Sequence, residues 1–341
     1  MTQKFNWKWS FKDYPEPSDL KVFGTFICGG GSTMGYKLAG FQHLGGVEID
    51  PQMAKVYQAN HKPKYLFIED IRAFNKREEL PAELFDLDIL DGSPPCSSFS
   101  TAGAREKGWD KKKVFREGQA SQKLDDLFFH FIALANRLRP KVVIAENVSG
   151  LIKGNAKAYV RQIADEFKAA GYNTQLFLLN AASMGVPQKR ERTFFIARRN
   201  DFKVPPLKLS FNLPAIPFKD LMLSSKLNML NPESKMFAYW HKSSPGESFS
   251  KHHSKGSFFN ENKMPLNEVA ATLTANSGYY SPTEPRKLID FEYLSMQSFP
   301  QDYAFQGVGA QYICGMSVPP VMMAQVANQI RKQWFPNGRA S

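Results

Sequence analysis

Strand-like and helix-like segments alternate along residues 22–199, and this alternation constrains the fold more than any other feature of the chain. Apolar runs of four to eight residues predict strands. These runs are 22–27, 44–49, 87–90, 141–148, 174–179 and 193–197. Residues 121–138 and 155–171 have helical spacing, and Gly171 ends the second helix as a C-terminal glycine does. The alternation predicts an α/β fold with a mostly parallel sheet covered by helices on both faces.

The composition changes after Arg199. Residues 201–268 are rich in Pro, Ser, Asn, Lys and aromatic residues and have no long amphipathic helix, which predicts a small irregular or β-rich domain. Residues 286–299 and 318–335 again have helical patterns, and we expect them to return to the first domain. The predicted segments are therefore residues 1–200, 201–268 and 269–341.

Positive charge predominates in the chain. It has 44 Lys and Arg residues against 32 Asp and Glu residues, a net charge of +12 that favours a polyanionic partner. Residues 103–123 carry seven basic residues against three acidic ones, and residues 203–265 carry nine lysines against four acids. This clustering favours phosphate contacts over an ordinary solvated surface.

Several other classes of protein are disfavoured by the composition. The three cysteines, Cys28, Cys96 and Cys314, are widely spaced, and no Cys/His cluster has zinc-finger spacing, so neither disulfides nor a metal are expected. No apolar run has membrane-spanning length, and the first residues lack the apolar stretch of a signal peptide. We therefore expect a cytoplasmic protein without a membrane partner.

A glycine-rich turn, 28-CGGGSTMG-35, follows the first predicted strand. Glycines at a strand-to-helix turn let the backbone approach a ligand closely, which predicts a nucleotide-type cofactor. Glu48 ends the next strand and could accept hydrogen bonds from both ribose hydroxyls, and Asp70 could accept one from an adenine amino group. The spacing is not G-x-G-x-x-G, and the glycines and acids alone do not separate NAD from S-adenosylmethionine.

Other chemically active residues also follow predicted strands. Cys96 comes after a strand and two prolines, and Glu146 ends another strand, so both are expected at the carboxyl edge of the sheet, where ligands bind. A lone cysteine is more often a small buried hydrophobic residue. Arg190 and Arg192 share one face of a strand and require acceptors such as a carboxylate, a phosphate or a base carbonyl.

The order of these motifs resembles that of the DNA (cytosine-5)-methyltransferases over nearly the whole chain. The motifs are 26-FICGGGSTMG-35, 92-GSPPCSSFS-100, 146-ENV-148, 188-QKRER-192, 286-RKLIDFEYLSMQSFPQDY-303 and 315-GMSVPP-320. Their combination is specific, although each motif alone is weak. The resemblance implies a Rossmann-like S-adenosylmethionine-dependent methyltransferase sheet, a small target-recognition domain at residues 201–268, and double-stranded DNA as the partner.

The resemblance also implies roles for the matching positions. Cys96 matches the nucleophile, Glu146 the acid that protonates N3 of cytosine, and Arg192 the arginine that holds O2. Asn147 matches the residue that braces the proline-cysteine turn. The other implied positions are Pro95 and Arg190 at the catalytic site; Phe26, Gly30, Gly31, Glu48, Ile49, Asp70, Ile71, Leu127 and Ser317 at the cofactor; and Gln188, Thr272, Lys111 and Arg116 at the DNA.

Two positions depart from the family pattern. Cys28 stands where the first loop glycine is usual, and Met316 replaces a customary asparagine near the methionine end of the cofactor. Neither departure affects the reacting groups. Because the target carbon is inaccessible in a stacked duplex, the cytosine must be flipped out, and we expect residues 103–123 to close over it while residues 201–268 read the sequence.

Four alternatives remain open from the sequence. A branch of the family acts on tRNA cytosine, and 93-SPPC-96 resembles the Ser-Pro-Pro-aromatic motif of enzymes that methylate the cytosine amino group, although Cys96 cannot stack on a base. A cofactor-binding regulator without turnover and an NAD-dependent oxidoreductase agree less well with the complete motif set. We expect a monomer, and a cognate restriction or defence system is a candidate partner.

Overall fold

The computed structural model describes residues 5–95, 126–152, 157–258 and 260–339. Seven strands form the central sheet, in the order β3-β2-β1-β4-β5-β7-β6. The strands are β1 (Lys21–Thr25), β2 (Gln42–Glu48), β3 (Tyr65–Ile68), β4 (Ile89–Gly92), β5 (Val142–Val148), β6 (Tyr172–Asn180) and β7 (Glu191–Arg199). β7 pairs antiparallel with both of its neighbours, and the other paired strands are parallel. The predicted mostly parallel sheet is therefore confirmed.

Helices cover both faces of this sheet, as predicted. The helices are α1 (Gly31–Leu38), α2 (Pro51–His61), α3 (Ile71–Phe74), α4 (Leu127–Leu138), α5 (Lys157–Ala169), α6 (Lys235–Lys242), α7 (Asp290–Gln297), α8 (Ala310–Met316) and α9 (Pro320–Trp334). One apolar core contains α1 and α7–α9, and the other contains α3–α5. β5 is nearly continuous in apolar residues because helices bury it from both sides.

Local sequence explains where the helices near the sheet edge begin. Asp50 caps α2, because its carboxylate accepts hydrogen bonds from the amides of Gln52 and Met53, and Pro51 supplies a preset backbone angle at the first helical position. α9 packs closely on α1 at Gly35, where a Cβ atom would lie 2.4 Å from the Cβ of Met323. The C-terminal helices therefore pack against the glycine loop and its helix.

A second, smaller cluster lies in the later part of the chain. Trp240, Phe249 and Tyr280 form its buried centre. β8 (Glu261–Lys263) and β9 (Gly278–Tyr280) form a parallel pair beside it. Lys263 is buried 3.6 Å from the centroid of the Trp240 ring, and its ammonium donates hydrogen bonds to the carbonyls of Trp240 and Ser243. This part is irregular, as the composition predicts.

The packing boundary differs from the predicted range of 201–268. Leu207, Phe218 and Leu221 belong to the main core, whereas Tyr280 belongs to the small cluster. Apolar residues are too sparse in this segment for periodicity to locate the boundary. The division into three segments stays a prediction. No helix of the described residues combines the length and the apolar character that a membrane span requires.

Candidate active site

A cavity of about 380 Å³ opens at the carboxyl ends of β1, β2, β4 and β5. The strand order reverses between β1 and β4, which is where open α/β sheets bind ligands. The predicted residues that line it are Phe26, Glu48, Ile49, Asp70, Ile71, Pro95, Leu127, Glu146, Asn147, Arg190, Arg192 and Ser317. Motifs that lie far apart in the sequence therefore meet in one cavity.

Glu48 is fixed at one end of this cavity by the backbone. Its Oε2 accepts a hydrogen bond from the amide of Cys28 at 2.8 Å, and its Oε1 accepts one from the amide of Asp50 at 2.9 Å. Burial raises the pKa of Glu48, and these two amides oppose that rise. Each carboxylate oxygen has a second lone pair, so Glu48 retains the capacity to accept from a ligand hydroxyl.

An apolar slot with a second acid adjoins Glu48. Asp70 caps α3 and accepts hydrogen bonds from the amide of Arg72 at 2.7 Å and from its guanidinium at 2.9 Å. The apolar side chains that line the slot are Phe26, Val47, Ile49, Ile71 and Leu127. A flat aromatic base suits such walls, and a ribose suits the neighbouring carboxylate, so the residues present fit an adenosine group.

The glycine loop is shaped by its protein neighbours. A Cβ atom on Gly30, which has a φ of +86°, would lie 2.0 Å from Nε2 of His61, and one on Gly31 would lie 2.2 Å from the carbonyl oxygen of Val318. Tyr303 donates a hydrogen bond to the carbonyl of Gly29 at 2.6 Å. Gly30 and Gly31 do not line the large cavity among the described residues, and both are closely packed; their contact with the cofactor stays a prediction.

Cys28 adopts the left-handed backbone conformation that the usual glycine would favour, with a φ of +45°. Cysteine therefore replaces the usual glycine while the backbone stays in the left-handed region. Burial raises the pKa of the Cys28 thiol to about 12, and it also raises the pKa of Cys314. Neither thiol supplies a thiolate near neutral pH.

Buried Glu146 and half-buried Arg192 form an ion pair at the other end of the cavity. Arg192 Nε lies 2.8 Å from Glu146 Oε1, and Glu146 is 7% exposed. The antiparallel register explains this contact, because Arg192 pairs with Val148 and thus lies diagonally opposite Glu146. β7, the antiparallel strand, is therefore what brings the guanidinium to the carboxylate.

The proline turn that precedes Cys96 is anchored to β5. Asn147 Nδ2 donates a hydrogen bond to the carbonyl of Pro94 at 2.9 Å, and Asn147 Oδ1 accepts one from the amide of Val148 at 2.9 Å. Pro94 and Pro95 line the same cavity as the ion pair. Cys96, Lys111, Arg116 and residues 103–123 lie outside the described residues.

Arg190 has a different environment from the one predicted for a catalytic group. It is 2% exposed, and its guanidinium donates hydrogen bonds to the carbonyls of Leu273, Gly315 and Ser317 at 2.7, 3.1 and 3.0 Å. These carbonyls belong to segments that form one wall of the cavity. Arg190 is therefore a positioning residue that joins these segments.

Gln188 does not contact DNA, and that prediction is wrong. Its side chain is fully buried, its amide nitrogen donates hydrogen bonds to Met296 O at 2.8 Å and Gln297 Oε1 at 2.6 Å, and its oxygen accepts one from Leu273 N at 3.0 Å. A fully buried amide cannot reach a duplex. Thr272 is half-buried near the cavity, with its hydroxyl hydrogen-bonded to the carbonyl of Lys189, and its DNA contact stays a prediction.

Several lining residues were not predicted from the sequence. Met53, Thr274, Ala275 and Tyr312 line the large cavity without belonging to a recognisable motif. Asp91, in β4, is a buried carboxylate beside the glycine loop, and it was also missed. Asp91 directly follows the predicted strand 87-LDIL-90, and an acid at the carboxyl end of a strand is a signal that could have identified it.

The fold and the cavity together define an α/β enzyme of the methyltransferase class. A family model for C-5 cytosine-specific DNA methylase matches residues 20–332. The chain belongs to this family, and it is therefore a DNA (cytosine-5)-methyltransferase. The resemblance seen in the sequence is confirmed.

Relatives of known name agree with this assignment. The chain is 30% identical over 336 residues to the Type II methyltransferase M.Sau96I of Staphylococcus aureus, an alignment that covers 90% of this chain and 74% of that protein. It is 30% identical over 337 residues to the Type II methyltransferase M.Bsp6I of Bacillus sp. (strain RFL6), covering 92% of this chain and 99% of that protein.

Solved structures show the same fold. A protein assigned as a DNA modification methyltransferase and encoded within an E. coli prophage superposes with a TM-score of 0.71 at 19% identity, covering 92% of this chain and 99% of that one. A mutant DNMT2 of Spodoptera frugiperda superposes with a TM-score of 0.64 at 18% identity, with the same coverage. At these identities the likeness supports the fold alone.

Proposed function

We propose that the chain transfers a methyl group from S-adenosylmethionine to carbon 5 of a cytosine flipped out of duplex DNA, through a covalent bond between Cys96 and carbon 6. The observation that carries this proposal is the convergence of the Glu146–Arg192 ion pair and the Pro94–Pro95 turn on one cavity. The same cavity contains a slot that fits adenosine.

The residues that would hold the cofactor are those of the slot. Glu48 would accept hydrogen bonds from the ribose, Asp70 would lie at the adenine end, and Phe26 and Leu127 would cover the ring. When bound, S-adenosylmethionine supplies an electrophilic methyl group on sulfur. The apolar walls exclude water from that group.

The protein side chains make carbon 5 nucleophilic. The Cys96 thiolate adds to carbon 6, the electron pair of the C5–C6 double bond becomes available at carbon 5, and Glu146 donates a proton at N3 as negative charge develops there. Arg192 would hold O2 and keep Glu146 oriented through its Nε. After the methyl group is transferred, a base removes the proton from carbon 5, and the sulfur–carbon bond breaks to release Cys96.

The available thiols support Cys96 as the nucleophile. Burial raises the pKa of Cys28 and of Cys314, and both thiols therefore stay protonated. Cys96 directly follows Pro95, which lines the cavity with Glu146.

DNA contact would fall to the basic parts of the chain. Residues 103–123 would close over the flipped base, and residues 201–268 would read the target sequence as a recognition domain. Flipping costs a few kcal/mol, which phosphate contacts by lysine and arginine offset. We further propose a monomer that acts on DNA in the cytoplasm, with a cognate restriction or defence system as partner.

The test is methylation of DNA in a cell strain that has no cytosine methylation of its own. Bisulfite sequencing should show 5-methylcytosine at one short sequence when the native chain is expressed, and none with Cys96→Ala. Cys314→Ala serves as the matched control, because Cys314 is buried outside the cavity. Methylation by the Cys96→Ala variant, or labelled-methyl transfer to tRNA in place of duplex DNA, would refute the proposal.

A further inference from the structure

Asp91 is a buried carboxylate with no cationic partner among the described residues. It lies in β4 and is 3% exposed. Its Oδ1 accepts a hydrogen bond from the hydroxyl of Tyr36 at 3.0 Å, and the hydroxyl of Ser32 is a second donor. A buried carboxylate that is held only by hydroxyls is costly as an anion, because hydroxyls compensate less of its lost hydration than a cation does.

A small cavity of about 20 Å³ adjoins Asp91. Its other walls include Gly31 of the glycine loop and Val318. It shares five lining residues with the large cavity, which are Phe26, Cys28, Ser93, Met316 and Ser317. The small cavity is therefore a side chamber of the active site, with room for about one small polar group.

The electrostatics of this side chamber favour a cation. Burial raises the pKa of Asp91 to about 7, the Tyr36 hydroxyl opposes that rise, and the charge of Glu146 adds to it. Tyr36 and Tyr57 also interact with Asp91, and Cys28 lines the same small cavity; burial raises the pKa of each of the three, so they stay neutral. No group in the described structure supplies the positive charge that would stabilise the Asp91 anion.

We propose that Asp91 is the counter-ion for the α-ammonium group of S-adenosylmethionine. This inference rests on the proposed function and deepens it. The slot at Glu48 and Asp70 fits the adenosine group, so the amino-acid end of the cofactor needs a separate place. That end carries one ammonium and one carboxylate, and the negative charge of Asp91 selects the ammonium.

The experiment is isothermal titration calorimetry with two ligands that differ in one group. S-adenosylhomocysteine carries the α-ammonium, and 5′-S-(3-carboxypropyl)-5′-thioadenosine lacks it while keeping the carboxylate. Native protein should bind the first about 10- to 100-fold more tightly, which is typical of a charge-assisted hydrogen bond in a buried site. Asp91→Asn should bind both ligands with similar affinity.

The possible results separate a counter-ion from a structural residue. If Asp91→Asn keeps the native preference, or loses affinity for both ligands equally, Asp91 does not recognise the ammonium. If the native protein binds neither ligand, the proposed use of this cofactor fails, and the inference fails with it.

A measurement on the native protein alone provides a second test should the variant not fold. Below about pH 7 Asp91 must lose a proton to pair with the ammonium, so affinity for S-adenosylhomocysteine should fall as pH falls, approaching tenfold per pH unit. Affinity for the analogue without the ammonium should change much less. Parallel pH profiles for the two ligands would overturn the inference.

Discussion

The carboxylate at the Glu48 end of the cavity is held by two backbone amides, whereas the carboxylate at the Glu146 end is held by the side chain of Arg192. Backbone amides are fixed by the loop and helix that carry them, so Glu48 keeps one position. The Glu146–Arg192 pair joins two side chains, and in the proposed reaction it would change partners when the cytosine enters. A fixed end suits the proposed cofactor, which has the same structure at every turnover, and an adjustable end suits the cytosine that we propose to enter from a duplex.

The largest expected effect is on the adjustable end. Glu146→Gln removes the proposed proton donor to N3, and we expect methyl transfer to slow by about 10²- to 10⁴-fold. Binding of S-adenosylhomocysteine, measured well above pH 7 where Asp91 is ionised in both proteins, should be unchanged, because Glu48 and Asp70 remain. Single-turnover kinetics and calorimetry measure the two quantities. Glu79→Gln, an exposed acid-to-amide change, is the control, and a parallel loss of cofactor affinity in Glu146→Gln would show that the two ends are not independent.

The second prediction concerns the fixed end. Glu48→Gln replaces one oxygen by an amino group, leaves one of the two backbone amides without an acceptor and would weaken the proposed ribose contact. We expect the dissociation constant for S-adenosylhomocysteine to rise about 10- to 100-fold. The maximal rate at saturating cofactor should change much less. A reduced maximal rate at unchanged affinity would place Glu48 in the chemical step and contradict this account.

A smaller effect is expected at the turn between the two ends. Asn147→Ala removes the hydrogen bond that positions the Pro94 turn. Loss of this bond should raise the activation free energy by about 1 kcal/mol and so reduce the rate roughly tenfold or less. Asn147→Asp keeps an acceptor for the amide of Val148 but loses the donor. If the donor to Pro94 is what matters, the Asp variant should be at least as slow as the Ala variant in single-turnover assays, because its buried carboxylate also faces the Pro94 carbonyl. Full activity of the Asp variant would assign the effect to Val148 instead.

The fourth prediction concerns stability and not the rate. The folded-state pKa of Asp91, about 7, lies above its unfolded value of about 3.9, so its favourable contribution is complete below about pH 4 and is lost as pH rises toward 7. Asp91→Asn lacks this titration. As pH rises across this range, the unfolding free energy of Asp91→Asn should therefore increase by a few kcal/mol relative to that of the native chain. In Tm the change is several degrees. Parallel profiles of Tm against pH for the two proteins would contradict a raised pKa for Asp91 in the folded chain.

The sequence predicted the parts of the site that depend on strand order. Glu48, Asp70 and Glu146 follow parallel strands, and the carboxyl ends of parallel strands meet at one edge, so their convergence followed from the alternation of strands and helices. The sequence also predicted β5 as a strand, because helices bury both of its faces and its residues are therefore mostly apolar.

The remaining features depend on contacts between distant segments. Gln188 and Arg190 lie in the same motif as Arg192, but their partners are the side chain of Gln297 and the backbones of residues 273, 296, 315 and 317, which no local pattern reveals. The predicted DNA contact of Gln188 failed for this reason. The role of Asp91 depends on a cavity between β4 and the glycine loop, which only the folded chain forms.

Covalent trapping tests the central claim most directly. A pool of random-sequence duplexes that contain 5-fluorocytosine would be incubated with the protein and S-adenosylmethionine, and the trapped peptide identified by mass spectrometry. Release of Cys96 requires removal of a proton from carbon 5, and fluorine at that position blocks this step. The account therefore predicts a stable adduct on Cys96, formed by the native chain and by Cys314→Ala. An adduct on another residue, or methylation of cytosine without any adduct at Cys96, would contradict it.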